Sequence, residues 1–497
     1  MKKVFMIVHE LDVNKGGMTT AMLTRSKVFY DNKIAGNIVT FDYKFDYPEI
    51  IQALKKSRKM DERTEMLNPF DFYKAKADQS KNKRNPTLYK AIDQLLKGTV
   101  EIKESQSVSR YFNQKTGEYV SYKKSFENTS FLDIFENNKR IKRIYYREEK
   151  IQKIDVFNHE NKLIAEQFFD SKCYLYLYRQ INAKNGSVGQ TYLINEKKQF
   201  KNNVGFCTYF LDELVKDDKK NIMICDGPGS FPKMLATRHK AAKKFAVIHI
   251  NHHKNFDNSG AVKEKEDYIL KNAQKIAGVI CLTEAQNRDI IKEYQIDNVS
   301  VISNFINITD QIPETTHRKV VGHISRLVPQ KGLPYLIEVA KEVVEKDNEI
   351  EFHIYGDGEE KNKLERLIRE NELEKNVKLL GYTDNATDKI KDFGCVVSTS
   401  QFEGQGLSII EAMLLEKPVI AFDIKYGPSD FIRHEENGYL IENQNISGMA
   451  DKILKVINDE ALAKQYGKES RKTIIELYHS EKLMEKWDRL FNGKVLA

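Results

Sequence analysis

The chain has 497 residues, 40% hydrophobic and 31% charged, with a formal net charge of +8. At roughly 100–200 residues per domain this is more than one core, and the composition excludes a disordered chain. Five scattered cysteines without a CxxC (Cys173, Cys207, Cys225, Cys281, Cys395) exclude a disulfide scaffold and a Cys-based zinc finger, and no apolar run reaches the roughly 20 residues of a membrane span.

The chain opens on MKKVFMIVHELD. Its apolar run is too short for a signal peptide and is followed at once by Glu10 and Asp12, so it reads as the first β-strand of a cytoplasmic protein. Gly16-Gly17 is a turn, MTTAMLTRSKVFY has helical spacing, and NIVTFDY is a second strand. From about 97 to 200 the pattern changes. Runs such as EYVSYKKSF, KRIKRIYYRE, KIDVFN and CYLYLYRQI alternate apolar and polar residues between turn signals at Thr116-Gly117, Asn137-Asn138, His159-Glu160-Asn161 and Asn185-Gly186, which predicts an antiparallel meander. The same region is basic. Residues 71–210 hold 26 Lys+Arg against 16 Asp+Glu, a balance of +10, and the rest of the chain is −2. Such a segment attracts a polyanion (nucleic acid, anionic lipid headgroups or a phosphate-linked polymer) or is simply a solvated lysine-rich surface.

The α/β alternation resumes with NIMICDG, KKFAVIHIN, IAGVICLT and VSVIS. Residues 305–318 are polar and aperiodic, an interdomain linker. KVVGHIS, EFHIYGDG, VKLLGY, CVVSTS and KPVIAFD then form a second alternation, and EKLMEKWDRLFNG is a terminal helix. The expected architecture is two α/β domains with parallel sheets, the first interrupted by a β-rich domain. The expected boundaries are 1–75 with 210–305, the insertion 76–209, the second α/β domain 319–478, and the helix 479–497 packing back on the first domain.

Open parallel sheets bind ligands beyond the carboxyl ends of their strands, so the loops there carry the candidates. Gly16-Gly17 offers close backbone approach and a helix N-terminus for an anion, without the full GxGxxG fingerprint. Arg326 and Lys331 in GHISRLVPQKGL are two cations able to grip a diphosphate. In STSQFEGQGLSIIEAM, Glu403 lies in a glycine-rich loop containing Gly404 and Gly406. Leu407 and Ser408 open a helix, and Glu411 follows one turn on. Two carboxylates beside a phosphate-binding helix start can hold sugar hydroxyls. His249, His252 and His253 end a strand. The cluster could take zinc, although no acid stands at helical spacing, and His249 is better placed as a hydrogen bonder facing a cleft. Asp226-Gly227-Pro228-Gly229 is a further strand-end loop. There is no Asp-x-Asp triplet of the kind that holds a nucleotide diphosphate through a metal, so Arg, Lys and helix N-termini are expected to neutralise it.

In combination, Gly16-Gly17, Arg326 with Lys331, and Glu403-x7-Glu411 in FEGQGLSIIEAM resemble the retaining glycosyltransferases of the GT4 family, whose fold is GT-B: two Rossmann-like domains facing a cleft. VIHINHH, ICDGPGSFPKM, GHISRLVPQK and AFDIKYGPSDFI extend the resemblance from end to end, to the wall teichoic acid α-glycosyltransferases of that family. The resemblance implies transfer of a sugar from a UDP-sugar to a polyanionic teichoic acid polymer. It implies that Arg326 and Lys331 stabilise the leaving UDP, helped by backbone groups at Leu407 and Ser408. It implies that Glu403 orients the donor sugar, Glu411 holds the ribose, Gly17 passes close to the phosphates, His249 contacts the sugar, and Tyr382 lies near the uracil. It further implies no metal or other cofactor, a homotrimer through the insertion, and a place in the cytoplasm, peripheral at the inner membrane face. The residues leave open UDP-GlcNAc or UDP-glucose as donor, and ribitol or glycerol phosphate as acceptor. A non-catalytic polyanion-binding module and a zinc hydrolase on the histidine cluster are competing classes. Nucleic acid is a poor fit, because no RRM, KH or helix-turn-helix pattern is present.

Overall fold

The structure, a computed structural model, describes residues 2–13, 16–80, 92–127, 129–218, 220–238, 242–255, 259–308, 317–383 and 385–493. Most of the expected linker, residues 309–316, lies outside the described residues, as do 81–91 of the expected insertion.

The strand type follows the burial pattern of each segment. The runs IMIC (Ile222–Cys225), GVIC (Gly278–Cys281) and CVVS (Cys395–Ser398) are buried at every position, as strands covered on both faces must be. They belong to parallel sheets. In the C-terminal half a six-stranded parallel sheet runs in the order Val377–Leu379, Glu351–Tyr355, Val320–Ile324, Cys395–Ser398, Val419–Asp423, Gly438–Glu442. Counted along the chain this is 3-2-1-4-5-6, the doubly wound order, which reverses between Val320–Ile324 and Cys395–Ser398. Two features escaped the sequence reading: the sixth strand, GYLIE, and the two-residue strand Met66–Leu67 beside Ile34–Val39.

The chain divides into two compact units. The first comprises 1–14, 35–223 and 230–242. It holds the predicted meander, a ten-stranded sheet from Thr99–Lys103 to Lys198–Phe200 in which consecutive strands pair antiparallel. One stretch of this sheet buries Leu132, Ile144, Ile151, Ile154 and Phe169. The sheet shares this unit with residues 35–75. Tyr43, Phe70 and Phe168 stack edge-on or tilted on one another, Phe70 meets Phe206, and Phe45 meets Tyr145. This aromatic cluster joins residues on both sides of the presumed boundary, each ring pair adding about 1 kcal/mol beyond its buried area.

The second unit comprises 15–34, 224–229 and 243–497. It holds the parallel strands Val299–Val301, Gly278–Cys281 and Lys243–Ile248, the helix Gly17–Asp31, and the whole six-stranded sheet. The terminal helix Ser480–Phe491 belongs to it. Trp487 packs edge-on against Phe29, Phe491 packs on Phe245, and Lys243 Nζ donates to the Phe491 carbonyl at 2.8 Å.

Beneath the reversal point His323 is buried. Its Nδ1 donates to the Val397 carbonyl at 2.8 Å, tying the two central strands, and its Nε2 lies 2.8 Å from Ser325 Oγ. Since a carbonyl only accepts, the proton sits on Nδ1 and Nε2 accepts from the serine. Burial holds the imidazole pKa down at about 4, against an ordinary 6.5. The unfolded chain therefore takes up this proton near pH 6.5 and the folded one only near pH 4, so stability falls as pH drops through that window. Wild type should lose about 3 kcal/mol more than His323→Asn between pH 7 and pH 4, read from urea unfolding at each pH. Equal losses would show that the buried ring is not the source.

Candidate active site

Two loops leave the two central strands in opposite senses and so open a crevice between them. The first, Ser325 to Gly332, carries Arg326 and Lys331. The second, Thr399 to Gly406, carries Glu403. They are stapled together. Gln401 N donates to the Gln330 carbonyl at 2.9 Å, Gln330 Nε2 to the Phe402 carbonyl at 3.0 Å, and Thr399 Oγ1 to the Lys331 carbonyl at 3.1 Å. Gly332 has φ +59°, and a Cβ there would lie 2.2 Å from the Thr399 carbonyl oxygen, so the first loop closes on the second only with glycine at that position.

The staple brings charge together. Lys331 Nζ donates to Glu403 Oε1 at 2.5 Å, with the two side chains 14% and 10% exposed. Ser400 Oγ donates to the same oxygen at 2.7 Å. Gly406, at φ +85°, turns the chain into the helix Leu407–Leu414. The first N–H groups of that helix, at Leu407 and Ser408, have no intrahelical carbonyl to meet, and they sit at the positive end of the helix dipole. Glu411 lies on the same helix. Solvent reaches it, yet its recess is crowded enough that lost hydration pushes its carboxyl up to about 7. Fixed N–H groups, two cations and two carboxylates at one strand-order reversal can hold a diphosphate and hydroxyls together.

The other strand-end loops of the same unit face this crevice. A Cβ on Gly17 would lie 3.6 Å from Leu407 Cδ1, and one on Gly16 would lie 3.6 Å from Arg326 Nε. At Gly404 a Cβ would fall 1.7 Å from the His249 carbonyl oxygen, so backbone rests directly on backbone. The His249 ring is largely buried, and its Nε2 lies 2.8 Å from Asp226 Oδ1. Asp226, fully buried, also accepts from Arg25 Nη2 at 2.5 Å, and the Arg25 guanidinium sits 5.3 Å from the centre of the Trp487 ring. Burial alone would raise the Asp226 pKa, but Arg25 and His249 outweigh it and the carboxyl lies below its ordinary value.

The structure thus gathers Gly17, His249, Arg326, Lys331, Glu403, Leu407, Ser408 and Glu411 on facing loops and one helix. Tyr382 is not drawn in. It is 60% exposed, on the loop after the edge strand Val377–Leu379. Sequence reasoning missed Arg25, His323 and Ser400, and gave Asp226 no role. Arg25 carried a usable signal, a lone cation on an otherwise apolar helix face. His323 carried none, since the Val397 carbonyl it ties is 74 residues away, whereas Ser400 stands three residues before Glu403, a local spacing that went unused. The histidine cluster does have an acid at hand. Glu293, forty residues on, approaches His252 and His253.

Residues 304–473 match the family model "Glycosyl transferases group 1". The chain is 54% identical to the poly(ribitol-phosphate) alpha-N-acetylglucosaminyltransferase of Staphylococcus aureus, over 99% of this chain and 100% of that one. It is 25% identical to the poly(glycerol-phosphate) alpha-glucosyltransferase of Bacillus subtilis, over 98% of this chain and 74% of that one. The crystal structure of a mutant of S. aureus TarM, in complex with fondaparinux, alpha-GlcNAc-glycerol and UDP, superposes with a TM-score of 0.93 at 53% identity, covering 99% of this chain and 100% of that chain.

The Gly404 contact makes a sharp test of the geometry. Gly404→Ala should retain the far-UV spectrum of the wild type but lose at least about tenfold in nucleotide affinity, because a clash of backbone on backbone has no side chain to move aside. Unchanged affinity would mean that the 249 and 404 loops separate at no cost.

Proposed function

The chain belongs to the group 1 glycosyl transferases, and from that premise we propose that it moves GlcNAc from UDP-GlcNAc, in α-linkage and with retention, onto hydroxyls of poly(ribitol phosphate) wall teichoic acid. The single observation that carries this is the end-to-end identity of 54% with an enzyme of that name. The crevice at the strand-order reversal supports it independently. Identity to the glycerol-phosphate glucosyltransferase is less than half as great, which weighs for ribitol and GlcNAc over the alternatives.

The chemistry follows from the charges. The donor diphosphate lies between Arg326, Lys331 and the helix start at Leu407 and Ser408. As the bond from the anomeric carbon to the β-phosphate oxygen breaks, negative charge grows on UDP, and cations already in place stabilise it most in the transition state. Glu403, shielded by Lys331 until then, supports positive charge near the anomeric carbon. An acceptor hydroxyl attacks from the face that UDP leaves, its oxygen bonds to the anomeric carbon, and its proton passes to the departing phosphate oxygen. His249, oriented by Asp226, contacts the sugar, Glu411 holds the ribose, and Tyr382 reaches the uracil as the loop closes over it. The cations Arg326 and Lys331 take the part that a metal plays in Asp-x-Asp enzymes, so transfer proceeds without one.

The polymer is a polyanion, and the ten-stranded sheet exposes lysines to it, among them Lys103, Lys115, Lys139, Lys172, Lys184 and Lys201. A homotrimer through this sheet would present several such surfaces to one chain and raise avidity without new contacts. Among the described residues no helix is long and apolar enough to cross a membrane. Work at the cytoplasmic face, on polymer before export, is part of the same proposal.

UDP release with EDTA present, crossing UDP-GlcNAc and UDP-glucose with ribitol-phosphate and glycerol-phosphate polymers, should occur with UDP-GlcNAc and the ribitol polymer. Lys331→Ala and Glu403→Ala should each reduce it at least about a hundredfold with the fold kept. Polymer-independent hydrolysis alone, or near-wild-type rates in either variant, would refute the assignment. A second check uses pH. A carboxylate at Glu411 accepts from ribose hydroxyls and a protonated one accepts poorly, so UDP-GlcNAc affinity should rise up to about tenfold from pH 6 to pH 8, through the pKa near 7. Glu411→Gln should flatten that rise. A variant with the wild-type profile would place the titrating group elsewhere.

A further inference from the structure

The loop after Lys243–Ile248 carries three histidines, and the transfer chemistry engages only the first. His252 and His253 are buried, at 0% and 7% exposed. Their Nε2 atoms converge on Glu293, near the end of the helix Glu284–Tyr294. His252 Nε2 lies 3.2 Å from Glu293 Oε2, and His253 Nε2 lies 2.9 and 3.0 Å from Oε1 and Oε2. One ligand atom from each of the three residues lies within 4.8 Å of the others.

His253 Nδ1 is 2.7 Å from the Gly260 carbonyl oxygen, which can only accept, so Nδ1 carries the proton. The Nε2 of a neutral ring then presents a lone pair, and it faces two carboxylate oxygens at hydrogen-bond distance. Acceptors so opposed repel unless something positive lies between them.

We propose that a divalent transition-metal cation, zinc by ligand type, binds between His252 Nε2, His253 Nε2 and the Glu293 carboxylate. Two imidazoles and a carboxylate are a zinc ligand set. Separations of 2.9–3.2 Å are close to the roughly 3.3 Å edge of a tetrahedron with 2.0–2.1 Å bonds. The Nδ1–H of His253 donates to a backbone carbonyl, the outer bond that fixes a metal-bound imidazole. Beside His252 Nδ1, at 3.5 Å, lies the Gln286 amide, whose buried Oε1 has no hydrogen-bond partner among the described residues. Turned about, that amide accepts from Nδ1–H of a metal-bound His252, at the expense of its own bond to the Ile250 carbonyl. The Tyr426 ring lies parallel to His252 at 6.2 Å, while the Glu293 side chain, 30% exposed, leaves room for a water as fourth ligand. The cation is structural. It fastens to one helix the loop whose Asn251 Nδ2 approaches the Lys425 carbonyl at 3.4 Å and whose His249 carbonyl supports Gly404.

The test reads metal, not transfer. The full-length chain is stripped with chelator and titrated with Co2+, following visible absorption, then challenged with Zn2+. The expected result is about one equivalent bound with the intense bands of a tetrahedral site, displaced by Zn2+, and a thermal midpoint raised by Zn2+. Glu293→Gln should weaken binding at least about tenfold, and His434→Gln, at an exposed histidine outside the cluster, should leave it unchanged. No tetrahedral spectrum in the wild type, or equal binding in Glu293→Gln, would overturn the proposal and leave a hydrogen bond between His253 and Glu293. Either outcome is independent of which sugar or polymer the enzyme uses.

Discussion

The ion pair of Lys331 with Glu403 is the contact around which the crevice is built. Each partner comes from a loop that leaves one of the two central strands, Lys331 from the single 3-10 turn Pro329–Lys331 and Glu403 from irregular chain. Backbone bonds between the loops, and a glycine that lets them touch, fix the pair at a place where water is largely excluded. Such a pair is a poor source of stability, because desolvating two charges offsets most of their attraction. Its value is positional. Lysine has three donors and one is committed to Glu403, so the others are aimed before any ligand arrives. A lysine neutralised by its own site can also be desolvated at modest cost, and then meets the growing charge of a leaving group without reorganising.

Much of this was legible in the sequence, for a physical reason. Parallel strands covered on both faces are short and uniformly apolar, so CVVS, IMIC and GVIC announce themselves, and the loops after them are where ligands bind. Arg326, Lys331 and Glu403 lie two, seven and five residues beyond strand ends, and Glu411 lies on the helix that follows. The meander was equally plain from alternation and turn residues. What stayed hidden is whatever depends on distant partners. Nothing local says that Arg25 meets Asp226, 201 residues away, or that Glu293 reaches back to His252 and His253. GYLIE was missed as a strand because its alternation is short and its neighbours are polar. The aromatic packing between 35–75 and the sheet was also hidden, because it is invisible to a reading that takes composition as a boundary.

Net charge likewise has to be separated from available charge. Residues 71–210 carry an excess of ten positive charges in sequence, but several of those cations are spent internally. Arg143 makes paired bonds to Asp133, Lys153 bridges Asp155 and Glu166, Arg179 reaches Glu166, and Lys76 is held by Glu196 and Glu213. These pairs set register and packing in a sheet too polar to be held by apolar burial alone. The lysines that remain at turns and strand ends are the ones a polymer can meet, and they are spread along the sheet rather than gathered in one pocket. That distribution suits a long repeating polyanion, which gains from many weak contacts, better than a compact anion, which needs a few converging ones.

The second unit carries, on the loops and helix of its crevice, groups that packing alone would not select. Glu411 is kept part protonated near neutral pH by its surroundings, Asp226 is buried between Arg25 and His249, and Gly404 stands where no side chain fits. A chain selected only for stability would replace such groups with apolar ones of similar size, since breaking or burying charge costs several kcal/mol where packing would not. Their clustering on facing loops, rather than their number, is what separates a working crevice from an incidental one. The Arg25 side chain links that crevice to Trp487 of the terminal helix. The last helix of the chain is therefore part of the wall that orients His249, and its packing on Phe29 contributes to the geometry of the site as well as to the core.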